Sequence, residues 1–376
     1  MSIPLPAPDA ARLDPPDGAE VELLSRGVLS AISVEGHLTP IQDVLMESVF
    51  EAMTGHPFDR NAAHIEPLGL ATGLADRNEA FRTRILQIML LGALVLRPLP
   101  TRVAAQLDAY AEALSVGDGM LDVARRYAEG SLGLAAFDFE RNGYTKDWTA
   151  EKQQALHVST ELGGAWELSV HDEALAQRWR ALEDLPDGTL GRRVAQFYRA
   201  RGFGYPGAPG SAPPLLAQHD WVHVLTDYGT KVESELEVFA FIARANDDPK
   251  GFSLLAMVVS LFETGYLRSG AGLFEAFPGQ LSRDGVAVRL ADAMRRGALV
   301  DGSVDFMGLD WFELADRPVD EVRTGFGIVA KSERAVGAGS VGPWDPGGIS
   351  EYQLGAGRSL AEREGRTYES FGASVD

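Results

Sequence analysis

No run of this chain alternates apolar and polar residues between tight-turn signals, whereas apolar residues recur three and four positions apart in segment after segment. That pattern leaves little room for half-buried strands and predicts helices with one apolar face. Leu38, Ile41, Leu45, Val49 and Met53 have this spacing, with Thr39 as N-cap, Pro40 at the first helical position and Gly55 as the stop. Val103, Leu107, Tyr110 and Leu114 line a second face, with Gly117 and Gly119 expected to end that helix. Two continuous apolar runs, 85–96 and 252–262, fall well short of the ~18–20 residues that cross a bilayer and read as buried core helices. The expected fold class is therefore all-α, built of helical bundle domains.

Four regions are expected along the chain. Residues 1–18 are rich in Pro and Asp and should be flexible. Residues 19–145 form an N-terminal helical domain, and 146–330 a second helical domain that carries the chemistry. Residues 331–376 turn Gly-rich and then charged, and Ala335 onward reads as a poorly ordered tail or an arm on the surface. Within the second region, a Pro-Asp-Gly turn at 186–188 leads into a helix from about Thr189, and Pro213-Pro214 precedes another.

Charge and composition narrow the function. With 54 acids against 34 bases and a net charge of −20, nonspecific binding to nucleic acid or to an anionic bilayer is not expected. There is no cysteine, so any metal must be held by His, Asp or Glu. The first residues have neither a basic start nor an apolar core of a secretory signal, so the protein is expected in the cytoplasm, with at most peripheral membrane contact and as a homo-oligomer.

The chemistry concentrates in HDWVHVLTDYGTKVESE, residues 219–235. Residues four apart share a helix face, so His219 and His223 can share one ion. Asp220 lies about 100° round the helix from His219 and can join them only near a helix start. Glu235 follows His223 by twelve residues, about 18 Å along one straight helix. It can reach the pair only if the chain breaks and folds back, and Gly229 supplies the break. Two histidines with two carboxylates suit a divalent ion. The glutamates at 233, 235 and 237 read equally as a solvated face, and an i,i+4 histidine pair also arises by chance. Burial among Trp221, Val222, Val224 and Leu225 argues for a partner to the polar groups.

Other motifs carry less. His56 and His64 read as surface or capping residues, and Asp172, beside His171, as a helix N-cap. The glycine clusters near 270 and 337 lack the preceding strand and the following Lys-Ser/Thr of a phosphate loop. HDWVH differs from a zinc-protease motif by Asp for Glu, a carboxylate too short to activate a metal-bound water.

The order His219-Asp220-x-x-His223, eleven residues, then Glu235 resembles the signature of the coenzyme Q biosynthesis protein 4 family. LPDGTLGRRVAQFYRARGF before it and LADAMRRGALVDGSVDFMGLDWFELADRPVDEVRTGFGI after it resemble that family's flanks, so the resemblance spans about 165–330. It implies an all-helical fold and one divalent ion, zinc first with Fe, Mn or Co as alternatives, held by His219, Asp220, His223 and Glu235. It also implies an apolar groove for an aromatic or isoprenoid-tailed molecule, and either oxidative removal of a ring carboxyl or the organising of biosynthetic enzymes. Tyr228 is a candidate substrate contact, and Lys231 and Arg199 candidate grips for a carboxylate or phosphate. Residues 25–130 loosely resemble acidic TerB-like helical domains. The long N-terminal part and the Gly-rich end lie outside the family pattern, which leaves the substrate open.

Overall fold

The computed structural model describes residues 16–96, 100–116, 171–212, 214–246 and 283–375, together with Leu255, Val258, Val259 and Leu281. Most of the apolar run 252–262 and the glycine cluster near 270 lie outside these residues, as do residues 1–15. Every regular element among the described residues is helical, in agreement with the expected all-α class. None of these helices is long and apolar enough to cross a membrane.

Five helices come first: α1 (Gly18–Ile32), α2 (Pro40–Thr54), α3 (Pro67–Gly73), α4 (Glu79–Leu94) and α5 (Thr101–Leu114). Their starts follow local chemistry. Asp17 caps α1 in a reciprocal box with Glu20, and Thr39 does the same for α2 with Gln42, with Pro40 behind it. Gly55 ends α2 in the left-handed conformation, as the sequence predicts. The apolar stripe of α5, Val103, Leu107, Tyr110 and Leu114, is buried as expected. That helix ends on Ser115 in the left-handed region, before the glycines expected to stop it. Buried Gln42 ties three elements together, donating to the carbonyls of Ile32 and Gly92. His56 and His64 are exposed.

The second group is α6 (Glu173–Arg180), α7 (Leu190–Arg201), α8 (Pro214–Thr226), α9 (Val232–Ala245), α10 (Val286–Ala298) and α11 (Val319–Gly325), with single 3-10 turns at Ala181–Asp184 and Trp311–Glu313. Asp172 caps α6 as expected, and Thr189 caps α7, which starts where expected. Helix α9 lies along α10, and α10 also lies against α2, so the two groups meet across α10. Arg84 of α4 adds a direct tie by donating to the carbonyls of Ala243 and Asn246.

Of the two readings of the segment after 331, a poorly ordered tail or an arm on the surface, the structure shows an ordered arm. It forms α12 (Glu333–Gly337) and α13 (Glu351–Arg363), and α13 lies against α7. Ile349, Leu354 and Ala373 are buried with Ala200. Its glycines serve close backbone approach: a side chain at Gly357 would overlap the carbonyl of Ala200, and one at Gly348 the carbonyl of Gly342.

Candidate metal centre

Helix α8 carries His219 and His223 on one face, and α9 carries Glu235 in its first turn. Between them the chain breaks where the sequence predicts. Asp227 takes the left-handed conformation, the Tyr228 amide closes α8 on the His223 carbonyl, and α9 starts afresh at Val232. Glu235 is thereby folded back to the histidine pair. Its Oε2 lies 3.2 Å from His223 Nε2 and 3.5 Å from His219 Nε2. Each of the three residues offers a ligand atom within 4.8 Å of the other two. All are 0% exposed.

The hydrogen bonds set the protons. His219 Nδ1 bonds the Leu216 carbonyl, and His223 Nδ1 the Tyr228 carbonyl at 3.3 Å. A carbonyl only accepts, so each Nδ1 carries the proton and a neutral ring keeps its lone pair on Nε2. Two lone pairs and a carboxylate oxygen then face one another in a dry interior, which repels unless a cation lies among them. Ligand atoms on a tetrahedral ion with bonds of ~2.0–2.1 Å stand about 3.3 Å apart, close to the spacings found. Glu235 Oε1 is buried without a hydrogen-bond partner, a further lone pair that an ion would satisfy. Burial pushes the Glu235 carboxyl up, but where a proton rather than a metal ion lies among the three groups, the charge of His223 and the hydrogen bonds of both histidines outweigh this and hold it well below the usual carboxylate range.

Asp220 is also fully buried but stands outside this triad. Its Oδ1 is 3.8 Å from His219 Nε2, while Oδ2 accepts from the Tyr198 hydroxyl at 2.5 Å. In this arrangement it lies beside the ligands with one oxygen committed to α7. Aromatic rings close the flanks: Phe239 stacks on His219 at 5.3 Å between centroids and Phe197 on His223 at 5.6 Å.

The remaining candidates separate. Tyr228 reaches the site through its carbonyl. Its ring is fully buried under Arg296 and Lys331, 4.9 and 5.5 Å from the centroid, and burial pushes its hydroxyl above the ordinary tyrosine range. Lys231 sits at the N-cap of α9, half-buried. Arg199 is engaged by Glu183 at 2.8 Å on the neighbouring 3-10 turn. The sequence reading missed Tyr198, which holds Asp220 from 22 residues away, because no short spacing signals such a contact. It missed Phe197 and Phe239 because stacking aromatics read simply as core.

No protein-family profile matches the chain, and no curated protein does. Among solved structures, the chain is similar to a crystal structure from Nostoc punctiforme named "Putative ubiquinone biosynthesis protein", at 17% identity and a TM-score of 0.30 over 66% of this chain and 98% of that one. A likeness at that level carries no inference about the site.

Proposed function

We propose that the chain is a metal-dependent enzyme in which His219, His223 and Glu235 hold one divalent ion, zinc first and Fe, Mn or Co as alternatives. The observation that carries this is the convergence of two Nε2 lone pairs and one carboxylate oxygen in the fully buried interior of the fold. The substrate class, an aromatic or quinone-like molecule with or without a prenyl tail, rests on the resemblance of the sequence motif and its flanks to the coenzyme Q biosynthesis protein 4 family. The reaction proposed is oxidative decarboxylation or hydroxylation of the ring, in which one atom of dioxygen becomes the ring hydroxyl, the other is reduced to water by a two-electron donor, and the carboxyl, where lost, leaves as carbon dioxide. A bound ion would supply Lewis acidity or, for iron, redox capacity. The chain's own part is to fix both imidazoles by their Nδ1 protons, to exclude water with Phe197 and Phe239, and to hold Asp220 beside His219, as ligand or as orienting group.

The complete burial of the site favours a second reading, in which the ion is structural and the protein binds a prenyl lipid or a partner enzyme without turnover. Structural sites are closed, whereas catalytic ones keep a position open. The two readings separate in one experiment. The metal-loaded protein is incubated with a prenylated aromatic acid under air with a two-electron reductant such as ascorbate, its products are followed by mass spectrometry, and lipid is extracted from a parallel sample. A decarboxylated or hydroxylated ring, absent with His223→Ala, supports the enzyme. A co-purified prenyl chain without conversion supports the second reading.

A further inference from the structure

The turn that returns Glu235 to the histidines does not stand alone. Its two pivotal amides donate into the C-terminal arm: Gly229 to the carbonyl of Val341 at 2.9 Å and Thr230 to that of Gly348 at 3.1 Å. A side chain at Gly229 would come within 2.9 Å of the Gly348 backbone, so the two strands of chain meet without intervening atoms. Arg201, the last residue of α7 and 0% exposed, joins that helix to both the turn and the arm. Its Nε donates to Thr230 Oγ1, and its Nη2 to the carbonyls of Pro343 and Gly348, each at 2.9 Å. Thr230 Oγ1 in turn donates to Gln353 of α13 at 2.6 Å. The guanidinium also lies 4.0 Å over Phe197, the ring stacked on His223, and Trp344 of the arm meets Phe197 edge-on at 6.4 Å.

We infer that the arm from about 340 to 353, latched by Arg201 and Thr230, is a positioning device for the metal centre. It sets the angle between α8 and α9, and through Phe197 the plane of the His223 ring. Arg201, Thr230 and Trp344 act through the turn and through Phe197. The inference rests on the proposed metal site. A buried arginine that gives its protons to a turn hydroxyl and two arm carbonyls is a costly way to anchor a tail, and it is placed at the one turn on which ligand convergence depends. Groups that orient ligands from outside typically contribute 10–100-fold in metal affinity.

The test is cobalt binding to the full chain stripped of metal, read both as affinity and as the visible ligand-field spectrum. Thr230→Val, which removes the hydroxyl at nearly constant volume, and Trp344→Leu, made in the half-buried arm, should each weaken binding about 10-fold or more and change the spectrum, with helical circular dichroism retained. Thr230→Ser should restore both. Tyr368→Phe removes a bond from the arm region to the Ala200 carbonyl, away from the turn, and should leave affinity and spectrum as in the wild type. If Thr230→Val and Trp344→Leu, once folded, bind cobalt with wild-type affinity and spectrum, the arm is only structural and the inference is overturned. Should one variant not fold, the other decides. A folded wild type that takes up no cobalt would overturn the metal reading itself, and the inference with it.

Discussion

Glu235 is the residue on which the site turns. Its carboxylate is stable in a dry interior because His219 and His223 face it. Its folded pKa is lowered, so the stability it contributes is present above the unfolded value of about 4.3 and is lost as pH falls toward the folded value. In chelator-treated protein, the stability difference between wild type and Glu235→Gln, measured by urea unfolding, should therefore shrink between about pH 5 and pH 3. Metal-loaded Glu235→Gln should bind its ion more weakly by more than the ~10–100-fold expected for an orienting group. Tyr198 makes a separate case. Tyr198→Phe takes a hydroxyl from the fully buried Asp220 and should cost about 1–3 kcal/mol of stability in thermal or denaturant unfolding, with a smaller effect on metal affinity than loss of any triad member. At this scale the sequence was informative where chemistry is local. The i,i+4 histidines do share a face, because helical geometry requires it. The Tyr198–Asp220 contact was not legible, because two helices must meet before it exists.

At the scale of elements, the helix boundaries show what short-range chemistry can announce. Thr39-Pro40 and Asp172 cap the helices expected of them, Thr189 caps a helix that starts where expected, and Gly55 ends α2 with a positive φ. Helix-to-helix distances are less readable. Gly297 of α10 lies so close to α9 that a side chain there would overlap the Phe241 carbonyl and press on the Ala245 amide. Gly297→Ala should therefore push α9, the carrier of Glu235, away from α10. A loss of about 1–3 kcal/mol is expected in unfolding experiments, although alanine has the higher helix propensity. A stabilised variant would show that the two helices do not approach as closely as described.

For the whole molecule, the C-terminal arm is where composition left two readings open. Gly-rich sequence serves disorder and close backbone approach alike, and only the partner surface decides between them. Here the partners are Gly229 and the Ala200 carbonyl, and the contacts are made largely by main chain, which leaves no side-chain pattern to read. The fold class was legible because helical periodicity recurs along the chain, as in α2 and α5. The return of Glu235 was legible as a need, a break at Gly229, but not its means, since the arm that braces the turn comes more than a hundred residues later. The substrate is written in neither the spacing nor the fold, and it is carried by the motif's family resemblance.

Whether His219, His223 and Glu235 bind one divalent ion is decided by metal content of the freshly purified chain, measured by plasma mass spectrometry beside a folded His223→Ala variant and again after reconstitution with zinc, iron, manganese or cobalt. About one ion per wild-type chain, tightly held and lost in the variant, is the expected result. A folded wild type that contains no metal and takes up none, or one whose metal persists in His223→Ala, would contradict it.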